Sequence, residues 1–116
     1  MSDKISTGRR GEQLAEQYLN EKGYGTITRN YRYKHAEIDL IVQKDNFLVF
    51  VEVKTRKSRM YGEPESFVTK KKAEKIFDAA ENYIFETDWQ ENIRFDIVAI
   101  VLNKPPEIRH FEDAFY

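Results

Sequence analysis

The chain has 116 residues, a net charge of −1, 41% hydrophobic residues and no cysteine. That length suits one domain able to bury roughly two-thirds of its unfolded surface without covalent staples, and the missing thiols exclude disulfides and thiolate metal sites. No apolar run approaches the ~20 residues of a membrane helix and no signal-peptide core is visible, so the expectation is a cytoplasmic protein with no membrane partner.

In chain order, residues 8–22 place Leu14, Ala15, Tyr18 and Leu19 at helical spacing, and Gly23 supplies a left-handed stop. YGTITRNYRY follows as a strand interrupted by a Gly and an Asn, and then come two stronger strands within AEIDLIVQKDNFLVFVEVK. Residues 55–66, rich in charge, Gly and Pro, are expected to form a mobile loop. A second helix is predicted from near Thr69, a candidate N-cap, because Ala73, Ile76, Phe77, Ala80, Tyr83 and Ile84 make one apolar stripe. RFDIVAIVL reads as a fourth strand, KPP breaks it, and EIRHF adds a short edge strand before the aromatic tail. The expected class is α/β, a mixed β-sheet flanked by helices in the order α-β-β-β-α-β-β, in a single domain over residues 1–116.

The small net charge conceals a segregation. Residues 54–75 hold eight Lys or Arg against three Glu, or +5, whereas residues 76–96 hold six acids against Arg94, or −5. A basic stretch beside carboxylates suits a protein that handles a polyanion, although such a run also serves as an ordinary solvated face. Candidate phosphate contacts are Arg56, Lys57 and Arg59 in the loop and Lys70, Lys71 and Lys72 at the start of the second helix, with Arg9 and Arg10 at the first. Tyr33 and Tyr61 fit structural roles better than base stacking.

The two central strands raise a question of charge. A two-residue turn at Asp45 and Asn46 makes facing residue numbers sum to 91, which sets Asp39 opposite Glu52 and Glu37 opposite Lys54. Ile41 and Phe50 share that face, and Ile38, Leu40, Val42, Val49, Val51 and Val53 fall on the other. Directly opposed carboxylates are destabilising, and a shared proton, Lys54 or a divalent cation is needed to compensate them. Oxygen-only ligands suit Mg²⁺ or Mn²⁺ rather than zinc, and His35 and His110 read as turn or packing residues. A plain ion pair at a strand end is the simpler alternative.

An Asp in one strand and Glu-x-Lys in the next resembles the PD-(D/E)xK pattern of restriction endonucleases and archaeal Holliday-junction resolvases. More closely, GRRGEQLAEQYL, AEIDLI, VFVEVKTR, YGEP with VTKKK, RFDIVAI and IRHFEDAF together resemble the YraN family of small, functionally uncharacterised bacterial proteins, over nearly the whole chain. The resemblance implies a restriction-endonuclease-like core in which Asp39 and Glu52 ligate Mg²⁺ or Mn²⁺, the Val53 carbonyl completes the coordination, Lys54 positions water and Glu12 is an additional acid. Ile38 stands where the superfamily's label has Pro, and Ala36 where the family has Gly.

The activity so implied is metal-dependent hydrolysis of phosphodiester bonds in branched or structured nucleic acid, DNA being the expected partner. The alternative is a module on the same fold that binds nucleic acid or a protein without cutting. Phe111, Phe115 and Tyr116 leave two readings open, a homodimer seam or closure of the core.

Overall fold

The structure is a computed structural model that describes residues 6–58 and 68–115. Helix α1 (Thr7–Glu21) leads into β1 (Gly25–Tyr33), β2 (Ala36–Lys44) and β3 (Phe47–Arg56), followed by α2 (Lys70–Thr87), β4 (Asn92–Val101) and β5 (Glu107–Phe111). The strands form one five-stranded sheet in the order β1-β2-β3-β4-β5. All neighbours run antiparallel except β3 and β4, which are parallel because α2 carries the chain back across the sheet between them. The class is therefore α/β with a mixed sheet and two helices, in the element order that hydrophobic periodicity predicts.

Local chemistry explains the element boundaries. Ser6 caps α1 by accepting the Arg9 N–H, and Thr69 caps α2 by accepting the Lys72 N–H, so each side chain satisfies a donor that the first turn leaves open. Gly23 ends the first helix at φ 98°, a conformation that a side chain would oppose. Asp45 takes φ 55° in the β2–β3 turn and Asp88 takes φ 56° after α2. The strand β3 continues through Arg56, two residues into the segment predicted to be loop, because its parallel pairing with β4 persists to Arg56 opposite Val101. The remainder of that predicted loop, including Arg59 and Tyr61, lies outside the described residues except for Lys57 and Ser58.

The helices cover opposite faces of the sheet. On one side Ala15 and Leu19 of α1 pack on Leu40, Val42, Val49, Val51, Val98 and Ile100. On the other, Ala73, Ile76, Ala79 and Ala80 of α2 pack on Ile38, Ile41, Leu48, Phe50 and Ile97. Phe115 is buried in this second cluster and Phe111 packs against it, so both close the core, and Tyr116 lies outside the described residues. Ile38 is a correction: it sits with Ile41 and Phe50, not with Leu40. The strict alternation of β2 therefore breaks between Ile38 and Leu40, at Asp39.

Candidate functional site

The β2–β3 hairpin keeps the register that sums to 91 from Lys44 opposite Phe47 as far as Leu40 opposite Val51. Beyond that pair the ladder opens. Strand β2 stays with β1 down to Ala36 opposite Tyr33, and β3 stays with β4 up to Arg56 opposite Val101, so the two strands part into a fork. Asp39 lies where it opens, and its Oδ2 accepts the Val53 N–H at 2.7 Å. A side chain thus takes a backbone donor that an ideal antiparallel ladder would give to the Ile38 carbonyl. Opposite Asp39 in β1 stands Asn30, which is missing from the β1–β2 register and takes φ 51°. The irregularity runs through both neighbours of the Asp39 position.

Glu52 projects into the same fork from β3 and is only 5% exposed. Its Oε2 accepts the Lys72 ammonium at 2.5 Å, from the first turn of α2. Burial and the nearby Glu52 charge, with a smaller push from Glu12, raise the Asp39 carboxyl to about 7 in spite of the Val53 hydrogen bond and the Lys72 charge. Burial opposes the Lys72 charge, but Glu52, Asp39 and Glu37 outweigh it and hold the ammonium above its usual range. The paired carboxylates are offset in two ways, one of them supplied by a residue that strand register does not offer. Burial and the Glu52 charge drive Asp39 towards its protonated form, and Glu52 takes the ammonium of Lys72, 20 residues downstream, where strand register offered Lys54.

Helix α1 brings in the additional acid. Gly11 is buried against β3 so closely that a methyl group there would overlap the Thr55 side chain. This approach delivers Glu12, half-buried, towards the fork, where Asn30 Nδ2 donates to its Oε1 at 3.1 Å. Sequence patterning flags Asn30 only as a strand interruption and gives Gly11 no role. The signal for Gly11 is its place on the inward stripe of α1, four residues before Ala15.

Among the other expected residues, Lys54 is half-buried on β3, two residues beyond Glu52 and so on the same face. Glu37 faces Arg32 of β1 at 3.7 Å. A cleft of about 770 Å³ over the α1 side is lined by Arg9, Glu12, Asn30, Glu37 and Leu40 among others, and Arg10 is exposed outside it. A second cleft of about 330 Å³ lies on the α2 side, between the β1–β2 turn and the start of α2, with Glu37, Lys71, Lys72 and Lys75 in its walls. Lys57, Lys70 and Lys71 are exposed, and Arg56 is half-buried at the end of β3.

The fork suits a hard cation in part. The Asp39 and Glu52 carboxylates are the kind of oxygen donors that suit Mg²⁺ or Mn²⁺, which bind through one or two carboxylates and retain water. Among the described residues no three His, Asp or Glu side chains meet closely enough to enclose an ion by themselves. Any ion in the fork would therefore be held by an open, hydrated set of ligands.

The other buried carboxylate, Asp96 on β4, is fully occupied. It accepts Arg94 at 2.9 and 2.8 Å, His110 Nε2 at 2.7 Å and the Asp113 N–H at 3.0 Å. Burial pushes Asp96 up, and these hydrogen bonds more than reverse it, leaving the carboxyl below its usual range. The Lys22 ammonium lies 3.1 Å from His110 Nδ1 and can only donate, so His110 carries its proton on Nε2. His110 is thus a packing residue, and exposed His35 belongs to the β1–β2 turn.

Comparison with known proteins matches residues 11–100 to the model of the uncharacterised protein family UPF0102. The chain belongs to the UPF0102 family. A UPF0102 protein of Flavobacterium psychrophilum is 42% identical, covering 100% of this chain and 98% of its own. That of Flavobacterium johnsoniae is 45% identical with the same coverage, and that of Cytophaga hutchinsonii is 47% identical over 90% of this chain and 92% of its own. The UPF0102 match contains Glu12, Asn30, Asp39, Glu52, Lys54 and Lys72, so the whole fork lies inside the shared region. Among the described residues no helix is long and apolar enough to cross a membrane.

Proposed function

We propose that this UPF0102 protein is a divalent-metal-dependent endonuclease of restriction-endonuclease-like fold that hydrolyses phosphodiester bonds in branched or structured DNA. The observation that carries this reading is the parting of β2 and β3 at Asp39, whose carboxylate takes the Val53 N–H next to the buried Glu52, with Lys54 two residues beyond Glu52. A buried carboxylate beside a half-buried one costs stability when only partly compensated, and such arrangements cluster where a protein binds charge or performs chemistry.

Asp39, Glu52 and the Val53 carbonyl would hold Mg²⁺ or Mn²⁺, which when bound supplies positive charge to a phosphate oxygen and acidifies water. Lys54 then orients the attacking water and stabilises the negative charge that develops on the phosphoryl oxygens. Glu12, held by Asn30, would add a further negative charge beside the site. Arg9 in the larger cleft and Lys71 in the smaller one would contact flanking phosphates without reading sequence.

The test is cleavage of labelled junction, flap, nicked and linear DNA in Mn²⁺ by wild-type protein, Asp39→Asn and Glu52→Gln. The expected result is cleavage of at least one branched form by wild type and a loss of more than about a hundredfold in each variant, with the fold retained. Wild type that cuts no form removes the enzyme reading. The second reading is a non-cutting module that binds nucleic acid, favoured by the absence of a three-carboxylate cluster among the described residues and by the Lys72 contact on Glu52. It predicts salt-sensitive DNA binding that survives both substitutions and no cleavage.

A further inference from the structure

The Lys72 contact sets a condition on any cation that enters the fork. Glu52 is 5% exposed, whereas the side chain of Lys72 is 51% exposed, so the acceptor is fixed in the interior and the donor reaches it on a free stem. Its backbone is anchored at the third residue after the cap, where the Lys72 N–H donates to Thr69 Oγ1 at 3.2 Å. The ammonium holds Glu52 and also feels the negative charge of Asp39 and Glu37. A dication held by Asp39 and Glu52 would lie within a few ångströms of that ammonium, and like charges that close in a partly buried site repel strongly. The two cannot share Glu52 comfortably.

We propose that Lys72 is the resident counter-ion of Glu52 and exchanges with the divalent cation: when the cation binds, the ammonium leaves Glu52 and turns into the 330 Å³ cleft, where it meets a substrate phosphate. This rests on the metal reading above and adds to it a positioning residue that couples cation binding to anion binding. The cleft, which Lys72 already lines, sets the displaced ammonium beside Lys71 and Lys75, with Glu37 as the carboxylate among them. Three lysines against one carboxylate leave positive charge that a bound phosphate balances. The exchange therefore links the two ligands: the cation frees Lys72, and the bound phosphate keeps it away from Glu52.

The experiment is a calorimetric Mn²⁺ titration of wild type, Lys72→Met and Lys71→Met at fixed pH and salt, with no nucleic acid present. Lys72→Met removes the competitor and is expected to bind Mn²⁺ about tenfold more tightly, the strength of one charge-assisted hydrogen bond. Lys71→Met removes an equal charge from the same cleft and is expected to change affinity by less than about twofold. Weaker or unchanged binding in Lys72→Met overturns the exchange and makes Lys72 a fixed support of Glu52. An equal gain in Lys71→Met also overturns it, since a general field effect would then suffice. If neither wild type nor Lys72→Met binds Mn²⁺, the metal reading itself falls and Lys72 is a permanent partner of Glu52. Lys72 projects from an exposed position, so circular dichroism is expected to show both variants folded.

Discussion

At the scale of single residues, two carboxyl groups respond to pH with opposite signs. Asp39 is raised from 3.8 to about 7, so its neutral form is the one that folding prefers. Its favourable contribution is complete below the ordinary carboxylate range and is lost as pH rises through about 7. Asp39→Asn cannot ionise, so in metal-free buffer it is expected to gain stability over wild type by on the order of 1–2 kcal/mol at pH 8, with the gap closing towards pH 4. Urea denaturation at both pH values measures this, and a gap independent of pH would contradict it. Asp96 behaves the other way, because its hydrogen bonds hold it below its usual range. Its contribution is present above that range and is lost as the pH falls through its lowered value. Asp96→Asn leaves the Arg94 charge with only the exposed Glu112 carboxylate, 3.7 Å away, and is expected to cost about 3 kcal/mol at neutral pH by the same denaturation assay.

At the scale of elements, the approach of α1 to β3 sets where Glu12 stands. Gly11→Ala forces a methyl group into Thr55 and is expected to destabilise the fold by about 1–3 kcal/mol. Combining it with Thr55→Ala should recover part of that loss in thermal unfolding, because the two side chains compete for one space. Simple additivity of the two substitutions would place the strain elsewhere. Element identity was legible from periodicity and capping: Gly23, Thr69 and the Asp45–Asn46 turn act as their chemistry predicts. The hairpin register was legible too, but only where the ladder is regular. Arithmetic on facing positions assumes continuous pairing, and it misses the point where β2 and β3 part because each strand is held by its other neighbour. The misplacement of Ile38 has the same origin, since an irregularity at Asp39 and Asn30 reverses the alternation beyond it.

At the scale of the whole molecule, the fork lies between two clefts that share Glu37 and carry Arg9 on one side and Lys71, Lys72 and Lys75 on the other. A polyanion crossing this end of the sheet would meet cations before and after the carboxylates. Binding of a DNA junction to metal-free protein is therefore expected to weaken linearly in log affinity against log salt, and Lys71→Ala to lower that slope by about one. A slope unchanged in the variant would remove Lys71 from the phosphate contacts. Strand spacing points Asp39 towards Glu52 but misses that the ladder ends one pair earlier, at Leu40 opposite Val51, and it gives no sign of the contact of Lys72 with Glu52, which depends on how α2 packs across the sheet. The most direct test of the central claim is anomalous diffraction from crystals grown in Mn²⁺. We expect a peak between the Asp39 and Glu52 carboxylates, within reach of the Val53 carbonyl, with the Lys72 ammonium withdrawn. A fork without a peak at saturating Mn²⁺, and with Lys72 still on Glu52, would contradict it.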